Sequence, residues 1–379
     1  MSEVLTLREA QPDDVGLYFN WANEPSVRAA AIQQDLIKWS THNLWFEGKL
    51  ANPYAVLYVA SDLTGPVGQI RFDVVDNVAE IDYSIETKAR GRGYGKTLVA
   101  LGINRLRQEF KLAGVKALVR QSNIPSCKVF ERLGFEPTAV QQIKGVDYQE
   151  YQWENLLVSN IVIANSNPIH GGLEAYFSSE YAATCLHTRS ELNYERLLLL
   201  DPQYIFFPHW SFIIPRQIYE RFRCVVFHMT DLPYGRGGSP LQNLIVRGHK
   251  ETQISALRVS KGLDTGPIYL KRPLSLHGTA TEIFLRAGSL MREMIETIVR
   301  EQPEPQPQVG EPVLFKRRQP EDGDIQPLST LAEVYNYIRM LDADGYPPAF
   351  LETEHFRLEF SRAARGTDQI IADVRITKK

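Results

Sequence analysis

A histidine and an aspartate are the pair in this chain best placed to do chemistry. His228 follows the apolar run Val225-Val226-Phe227, and Asp264 lies in Leu263-Asp264-Thr265-Gly266, beyond a strand-like stretch at 254–259. Such a pair, one group leaving a strand and one just past a later strand, suits proton transfer on a polar substrate. Between them runs Leu232-Pro233-Tyr234-Gly235-Arg236-Gly237-Gly238-Ser239-Pro240, and then a helix-like segment at 241–247. Alone, the histidine would read as a loop cap and the aspartate as a turn residue. A second stretch could hold an anion. Lys88-Ala89-Arg90-Gly91-Arg92-Gly93-Tyr94-Gly95-Lys96 sits between a period-two strand at 80–86 and an apolar-periodic helix through Leu98, Val99, Leu101, Ile103, Leu106 and Phe110. A strand, a glycine loop and a helix N-terminus aim backbone N–H groups at a phosphate. His187, His249 and His277 have no partner pattern and read as surface residues. With no HExxH and no paired cysteines, no metal site is expected.

The elements around these groups alternate in type. Residues 4–8 are strand-like, and Asp13-Asp14 opens a helix with Val15, Leu17, Tyr18 and Trp21. Residues 42–50 read as helix, and 55–61 and 66–75 as strands. After the glycine loop and its helix, 115–120 is a strand. Asn123-Ile124-Pro125-Ser126 then starts a helix carrying Val129, Phe130 and Leu133 that ends at Gly134-Phe135. A new series begins at 156–164, whose sequence LLVSNIVIA reads as the buried first strand of a parallel sheet. A helix begins at Leu173, a strand covers 182–187, a helix 192–200, and a strand 204–207 leads into Pro208-His209-Trp210. The next helix starts after Ile213-Ile214-Pro215. This alternation predicts a doubly wound sheet with His209, His228 and Asp264 at the carboxyl ends of its strands. Residues 302–312 are Pro- and Gln-rich and read as a linker. Beyond them lie an amphipathic helix at 331–341 and strands at 349–351, 356–360 and 369–376.

Bulk numbers bound the answer. The chain has 379 residues, too many for one ordinary core. The expected division is 1–155, 156–300 and 301–379. Hydrophobic residues are 44%, charged residues 23%, and the net charge is −3. That composition is globular and gives no basic surface for nucleic acid. Three cysteines, Cys127, Cys185 and Cys224, imply reduced thiols. The N-terminus lacks a signal-like apolar stretch, and no run reaches the roughly 20 apolar residues that span a bilayer. A soluble cytoplasmic protein without a membrane partner is expected.

Two resemblances follow from these motifs. Arg90-x-x-Gly93-x-Gly95 together with Asn123-x-x-Ser126-x-x-x-Phe130-x-x-x-Gly134-Phe135 resembles the GCN5-related N-acetyltransferase family over about 3–153. The resemblance implies that Arg90, Gly91, Gly93 and Gly95 hold the pyrophosphate of acetyl-CoA with Asn123 nearby. Many members carry a proton-donating tyrosine where this chain has Phe130, which has no hydroxyl. Tyr83, Tyr94 and Tyr151 are the alternatives. Trp21, Asn23-Glu24-Pro25, Val27-Arg28 and Gln69-Ile70-Arg71-Phe72 resemble acetyltransferases of pseudaminic-acid synthesis.

Residues from 160 to about 275 resemble the 10-formyltetrahydrofolate-dependent formyltransferases, in the sugar N-formyltransferase branch. His228 before Leu232-Pro233, Arg236-Gly237 with Ser239-Pro240-Leu241-Gln242, and Asp264 in its Thr-Gly turn carry it. The resemblance implies that His228 donates to the oxyanion, while Asp264 orients it and accepts the amine proton. It implies that His209, Trp210, Phe212, Ile214, Gly237 and Asp264 bind N10-formyltetrahydrofolate. The family's usual asparagine two residues before the histidine is Val226 here. Asn243 is the expected replacement, with Asn165 and Gln242 as others. Phe315-x-Arg317-Arg318-x-Pro320 and the 338–347 region resemble the ends of sugar N-formyltransferases, where they complete the substrate site or pack a homodimer.

The expected fold is therefore α/β. An N-terminal acetyltransferase-like domain precedes a central doubly wound formyltransferase domain and a small C-terminal α+β appendage. The expected function is N-formylation of a nucleotide-linked amino sugar. The N-terminal resemblance points to UDP-4-amino-4,6-dideoxy-N-acetyl-β-L-altrosamine. The alternative is a bifunctional enzyme that also acetylates from acetyl-CoA. A tRNA-directed formyltransferase would need a basic tail, which this chain lacks.

Overall fold

The computed structural model describes residues 5–154 and 161–379. Val4, the first half of the strand expected at 156–164, and the boundary expected at 155/156 lie outside the described residues. The chain forms two compact units, Met1–Val158 with Asn193–Asp201, and Ser159–Leu192 with Pro202–Lys379.

The first unit runs β1 (Thr6–Glu9), α1 (Val15–Ala22), α2 (Pro25–Ala30), α3 (Trp39–Ala51), β2 (Ala55–Asp62), β3 (Gly65–Val75), β4 (Val78–Ile85), α4 (Tyr94–Glu109), β5 (Gly114–Arg120), α5 (Ile124–Leu133), β6 (Glu136–Ile143) and β7 (Val146–Glu154). Its seven-stranded sheet has the order β1-β2-β3-β4-β5-β7-β6. The parallel pair β4 and β5 is in register only from Val78 to Glu80, opposite Gly114 to Lys116. Beyond Glu80 the two strands carry no further pairing. Buried Tyr58, Ile70, Phe72, Leu98, Ile103 and Phe130 fill the core, each contributing about 1.5–3 kcal/mol by leaving water. Sequence signals set α5 locally. Asn123 caps its start by accepting from the Ser126 N–H, Pro125 sits in its first turn, and Gly134 ends it at φ 83°. The β6–β7 hairpin and α2 are additions to the elements expected from sequence.

The second unit begins with β8 (Ile161–Asn165), α6 (Gly171–Tyr181) and β9 (Thr184–Leu186). The next helix, α7 (Tyr194–Leu200), belongs to the first unit. There it packs on α4, with Glu195 beside Lys96 and Thr97 and the Asn104 amide donating to Leu198 O. The second unit resumes with β10 (Tyr204–His209), α8 (Arg216–Arg221), β11 (Cys224–His228), β12 (Tyr234–Gly237), α9 (Pro240–Val246), β13 (Glu251–Arg258), β14 (Ile268–Ser275) and α10 (Ala280–Glu301). It closes with β15 (Val313–Phe315), α11 (Leu331–Leu341), β16 (Ala349–Glu352), β17 (Phe356–Arg365) and β18 (Ile370–Lys378).

Its main sheet has the order β14-β13-β11-β10-β8-β9. The four strands β9, β8, β10 and β11 are parallel, as the alternation of elements predicts. β13 and β14 are antiparallel additions. β8 is buried at every residue, the mark of a strand covered on both faces. The 268–301 stretch holds two elements that local pattern left unassigned, β14 and the long helix α10. Helix α10 does carry a signal. Thr279 and Glu282 form a capping box, and Ile283, Phe284, Ala287, Met291, Met294, Ile295 and Ile298 make a buried stripe. Residues 301–379 share this unit. β16, β17 and β18 form a three-stranded antiparallel sheet, and α11 packs on β17.

Candidate functional site

A cleft of about 960 Å3 opens in the second unit, within the usual range for small-molecule sites. His209, Trp210, Phe212, Ile214, Gly237 and Asp264, each expected from sequence, line it together with His228. His228 ends β11, whose parallel neighbours aim their carboxyl ends at this opening. Asp264 arrives by another route. It follows β13, which runs antiparallel to β11 and so ends at the far side of the sheet. The 259–266 segment folds back, closed at its base by Arg258 N–H donating to Pro267 O at 2.8 Å. Asp264 itself is in the left-handed region, φ 53°, a conformation disfavoured for a residue with a side chain and common at functional loops.

The linker residue Gln308 holds this loop. Its amide donates to Asp264 O and Gly266 O, both at 2.8 Å, and its carbonyl accepts from Arg236. Sequence reading took 302–312 as a mere connection and missed that role, because a side-chain clamp leaves no local pattern.

The histidine is oriented at its other end from the one expected. His228 Nε2 lies 2.7 Å from Gly235 O. A carbonyl can only accept, so Nε2 carries the proton and Nδ1 faces Asp264. Asp264 Oδ2 is 3.6 Å from Nδ1, too far for a hydrogen bond. It accepts instead from Gly237 N–H at 3.0 Å. Gly237 is required there: its φ is 115°, and a Cβ would sit 2.3 Å from Phe315 O. So Gly235 O orients the imidazole, not Asp264 as expected. With a neutral ring, two acceptors face each other across 3.6 Å of cleft. A proton on Nδ1, or an amine N–H placed between them, satisfies both.

Asn243 does not supply the third group. Its amide donates to Gly238 O, Ser239 O and Lys316 O at 2.9–3.0 Å. A carboxamide has two hydrogens, and these three backbone carbonyls occupy both. Asn165 is also committed, donating to Asn167 O and Glu174. Of the three expected amides only Gln242 lines the cleft, donating to Met340 O at 3.2 Å. Asn243→Ala should cost about 1–3 kcal/mol of stability by removing the donor to the part-buried carbonyls of Gly238 and Lys316, read from denaturant midpoints. It should leave kcat of the folded protein within a few-fold. A large loss of kcat at unchanged stability would restore Asn243 as a donor to substrate.

Two nitrogens in the cleft wall, His170 Nδ1 and Trp210 Nε1, are buried without a partner. Buried polar atoms are normally paired, so a polar ring system seated here would fit an unmet need. His170, on the turn before α6, was not singled out by sequence. Burial first, and then the charge of His209, push its imidazole from 6.5 down to about 4. The unfolded chain therefore binds more protons than the folded one between those values. Stability from this group is complete above about pH 6.5 and falls as pH drops toward 4, by on the order of 3 kcal/mol. His170→Phe should shrink the fall in denaturant midpoint between neutral pH and about pH 4.5. An unchanged fall would contradict this.

In the first unit, Gly91 and Gly93 have φ of 78° and 84°, and Gly93 caps α4. Arg90 is committed to Glu24, Ser26 and Ile85 O. Burial pushes the Glu24 carboxyl up, but hydrogen bonds from Ser26 and Arg90 outweigh it and hold it at about 2. Arg90 is thus a clamp on the loop, not a free phosphate ligand as expected, and the Asn123 oxygen is taken by its own helix cap. Of the alternative tyrosines, Tyr94 donates to Asp62 and Tyr151 to Glu131, while Tyr83 pairs with the Ser126 hydroxyl at 3.2 Å. Tyr83 lies on β4 beyond its last residue paired with β5.

Among the described residues no cluster of His, Cys, Asp or Glu could hold a metal, and no helix is long and apolar enough to cross a membrane.

Comparison with known proteins agrees with the two-part layout. The acetyltransferase (GNAT) domain family matches residues 4–136, and the methionyl-tRNA formyltransferase C-terminal domain family matches 320–377. A methionyl-tRNA formyltransferase of Gluconobacter oxydans is 28% identical over 202 residues, covering 52% of this chain and 66% of the relative. That of Sinorhizobium medicae is 34% identical over 155 residues, covering 38% and 49%. The chain thus spans about half to two thirds of the length of these curated relatives. A solved structure described as methionyl-tRNA formyltransferase from Clostridium thermocellum is 50% identical with a TM-score of 0.57, covering 58% of this chain and 99% of that one.

Proposed function

Because the chain belongs to the methionyl-tRNA formyltransferase-like family of formyltransferases, and carries a GNAT domain ahead of that part, we propose that its second unit formylates a primary amine. The formyl donor is N10-formyltetrahydrofolate, and the acceptor is a small nucleotide-linked amino sugar. The observation that carries this reading is the facing pair His228 Nδ1 and Asp264 Oδ2 in the cleft.

The chain's own groups suffice for the proton movements. When bound, the folate supplies an activated formyl group; His209, Trp210, Phe212 and Ile214 would hold it, with the orphan Trp210 N–H as a polar contact. Asp264 and the Nδ1 lone pair accept the amine's protons, which keeps the attacking nitrogen neutral. The imidazolium so formed would donate from Nδ1 to the donor nitrogen as its bond to the formyl carbon breaks, so that the proton lost by the amine ends on the departing nitrogen. Gly235 O keeps the ring in register throughout. His228 is nearly buried, which strengthens the interactions its ring makes.

An amino sugar is favoured over an aminoacyl-tRNA by the C-terminal region. Residues 320–379 hold seven Lys or Arg against eleven Asp or Glu, a net charge of −4. A surface that docks an RNA phosphate backbone carries the opposite excess. On the N-terminal resemblance, UDP-4-amino-4,6-dideoxy-N-acetyl-β-L-altrosamine is the first sugar to try. Incubation of the protein with N10-formyltetrahydrofolate and nucleotide amino sugars, followed by mass spectrometry, tests the class. Formylation of methionyl-tRNA in preference to every sugar would overturn it.

A second reading has its own observation. The glycine loop at the α4 N-terminus lies near Tyr83, on β4 where β4 and β5 are no longer paired beyond Glu80, and would take an acyl-CoA there. The same protein would then also acetylate an amine. Release of free CoA from acetyl-CoA and amino sugar, without folate, supports this. No release with any amine that is formylated rejects it.

A further inference from the structure

The three-stranded sheet β16-β17-β18 has one closed edge and one open edge. On the β16 side the chain covers itself: Ile325 N–H donates to Phe350 O at 2.9 Å, and Asp324 bridges to Phe350. On the other side β18, nine residues from Ile370 to Lys378, has no neighbouring strand among the described residues. Alternate residues of an outer strand turn their N–H and C=O groups away from the sheet, so β18 offers a row of backbone groups to another strand. It holds no proline or glycine to break that row, and the irregularity between Ser361 and Ala364 belongs to β17.

The side chains of β18 divide by face. Ile370 and Ala372 pack with Phe360 on the core of the second unit. Val374 and Ile376, on the same face and opposite Phe360 and Leu358, carry it outward and are 45% and 62% exposed. Phe356, exposed on the same face of β17, widens the apolar patch. The other face carries Asp373 and Arg375, paired within the chain to Arg362 and Glu359.

By residue type the strand is close to a palindrome about Val374. Opposite charges, Asp373 and Arg375, flank it, and apolar Ala372 and Ile376 flank those. Suppose a second β18 lies antiparallel with the two Val374 residues opposite each other. Each Asp373 then faces the partner's Arg375, and each Ile376 faces the partner's Ala372. Opposite residues in an antiparallel pair share a face, so apolar joins apolar and charged joins charged. A slip of one residue would lay the charged face beside the partner's apolar face. A slip of two would set Asp373 against the partner's Asp373, or Arg375 against the partner's Arg375, like charges directly opposite.

We propose that two copies of this chain associate through β18 about a two-fold axis at Val374, which joins two three-stranded sheets into one of six strands. The open edge, the exposed apolar patch and the self-complementary charges all select the same partner and the same register. Nothing in this depends on the formyl-transfer reading.

Light scattering after size exclusion of the full chain should give twice the 43.2 kDa mass of one copy, with dissociation on dilution. Asp373→Arg places arginines opposite arginines, and Arg375→Asp places carboxylates opposite carboxylates. Each variant alone should lose at least about tenfold in dimer affinity. An equimolar mixture of the two should recover the dimer, because the arginine brought in by one then faces the aspartate brought in by the other. Both variants should fold, as circular dichroism would show, since the intrachain pairs they lose lie on the surface and contribute little. A wild type that is monomeric at every concentration would overturn the proposal. So would a dimer that neither variant weakens, or a mixture that fails to dimerise. Hydrogen exchange reads the same contact without mutation. Amides of β18 should gain protection as the wild type is concentrated, and exchange that does not change with concentration would also overturn it.

Discussion

His228→Ala is expected to lower kcat of formyl transfer by about 10²–10⁴-fold, the range for loss of a positioned acid/base group. The fold should survive. His228 is nearly buried at the end of β11, but its ring makes one hydrogen bond, to Gly235 O. Losing that bond leaves Gly235 O with the longer donation from Thr230 Oγ1 at 3.5 Å and costs about 1–3 kcal/mol, less than a typical domain's stability. His228→Gln sharpens the test, because a carboxamide N–H can still reach Gly235 O but cannot shuttle a proton. If His228→Gln recovers stability and not rate, the imidazole's capacity to pass on a proton is what matters. Recovery of rate would reduce it to a loop prop.

Asp264→Asn should lose about 10²-fold or more in kcat. This change is nearly isosteric. The Asn carbonyl can still accept from Gly237 N–H, and the backbone clamp from Gln308 does not involve the side chain. An asparagine also tolerates the left-handed backbone at this position. Stability should therefore hold within about 1 kcal/mol. What disappears is the negative charge beside Nδ1 and the second proton acceptor. Circular dichroism and denaturant midpoints should match wild type while turnover falls. Matching turnover would show that Asp264 only shapes its loop.

The sequence made much of this visible, for identifiable reasons. Buried parallel strands such as β8 and β10 are continuous apolar runs, and helices such as α5 and α11 carry their own caps, so they read locally. The His228 and Asp264 pair is legible because each is followed by turn formers, Leu232-Pro233 with Gly235, Gly237 and Gly238 after His228 and Thr265-Gly266 after Asp264. What did not read locally depends on contacts distant in sequence. Gln308 clamps Asp264 from the linker, and Gly235 O orients His228 by reaching back along its own loop. Asn243 had the right type and neighbourhood, yet its hydrogens belong to carbonyls at Gly238, Ser239 and Lys316. Helix α7 lies within the central series in sequence but packs on α4 in the first unit. The antiparallel strands β13 and β14 broke the simple alternation, which is why Asp264 reaches the cleft by a folded-back loop.

The proposed function stands or falls with formyl transfer from N10-formyltetrahydrofolate to an amine by the His228 and Asp264 pair. Mass-spectrometric product analysis of the wild type, His228→Gln and Asp264→Asn, each with N10-formyltetrahydrofolate and a panel of nucleotide amino sugars, tests it most directly. Wild type should give an N-formylated sugar and, at equal folded concentration, either variant almost none. Formyl transfer undiminished in both variants, or absent from wild type with every amine offered, would contradict it.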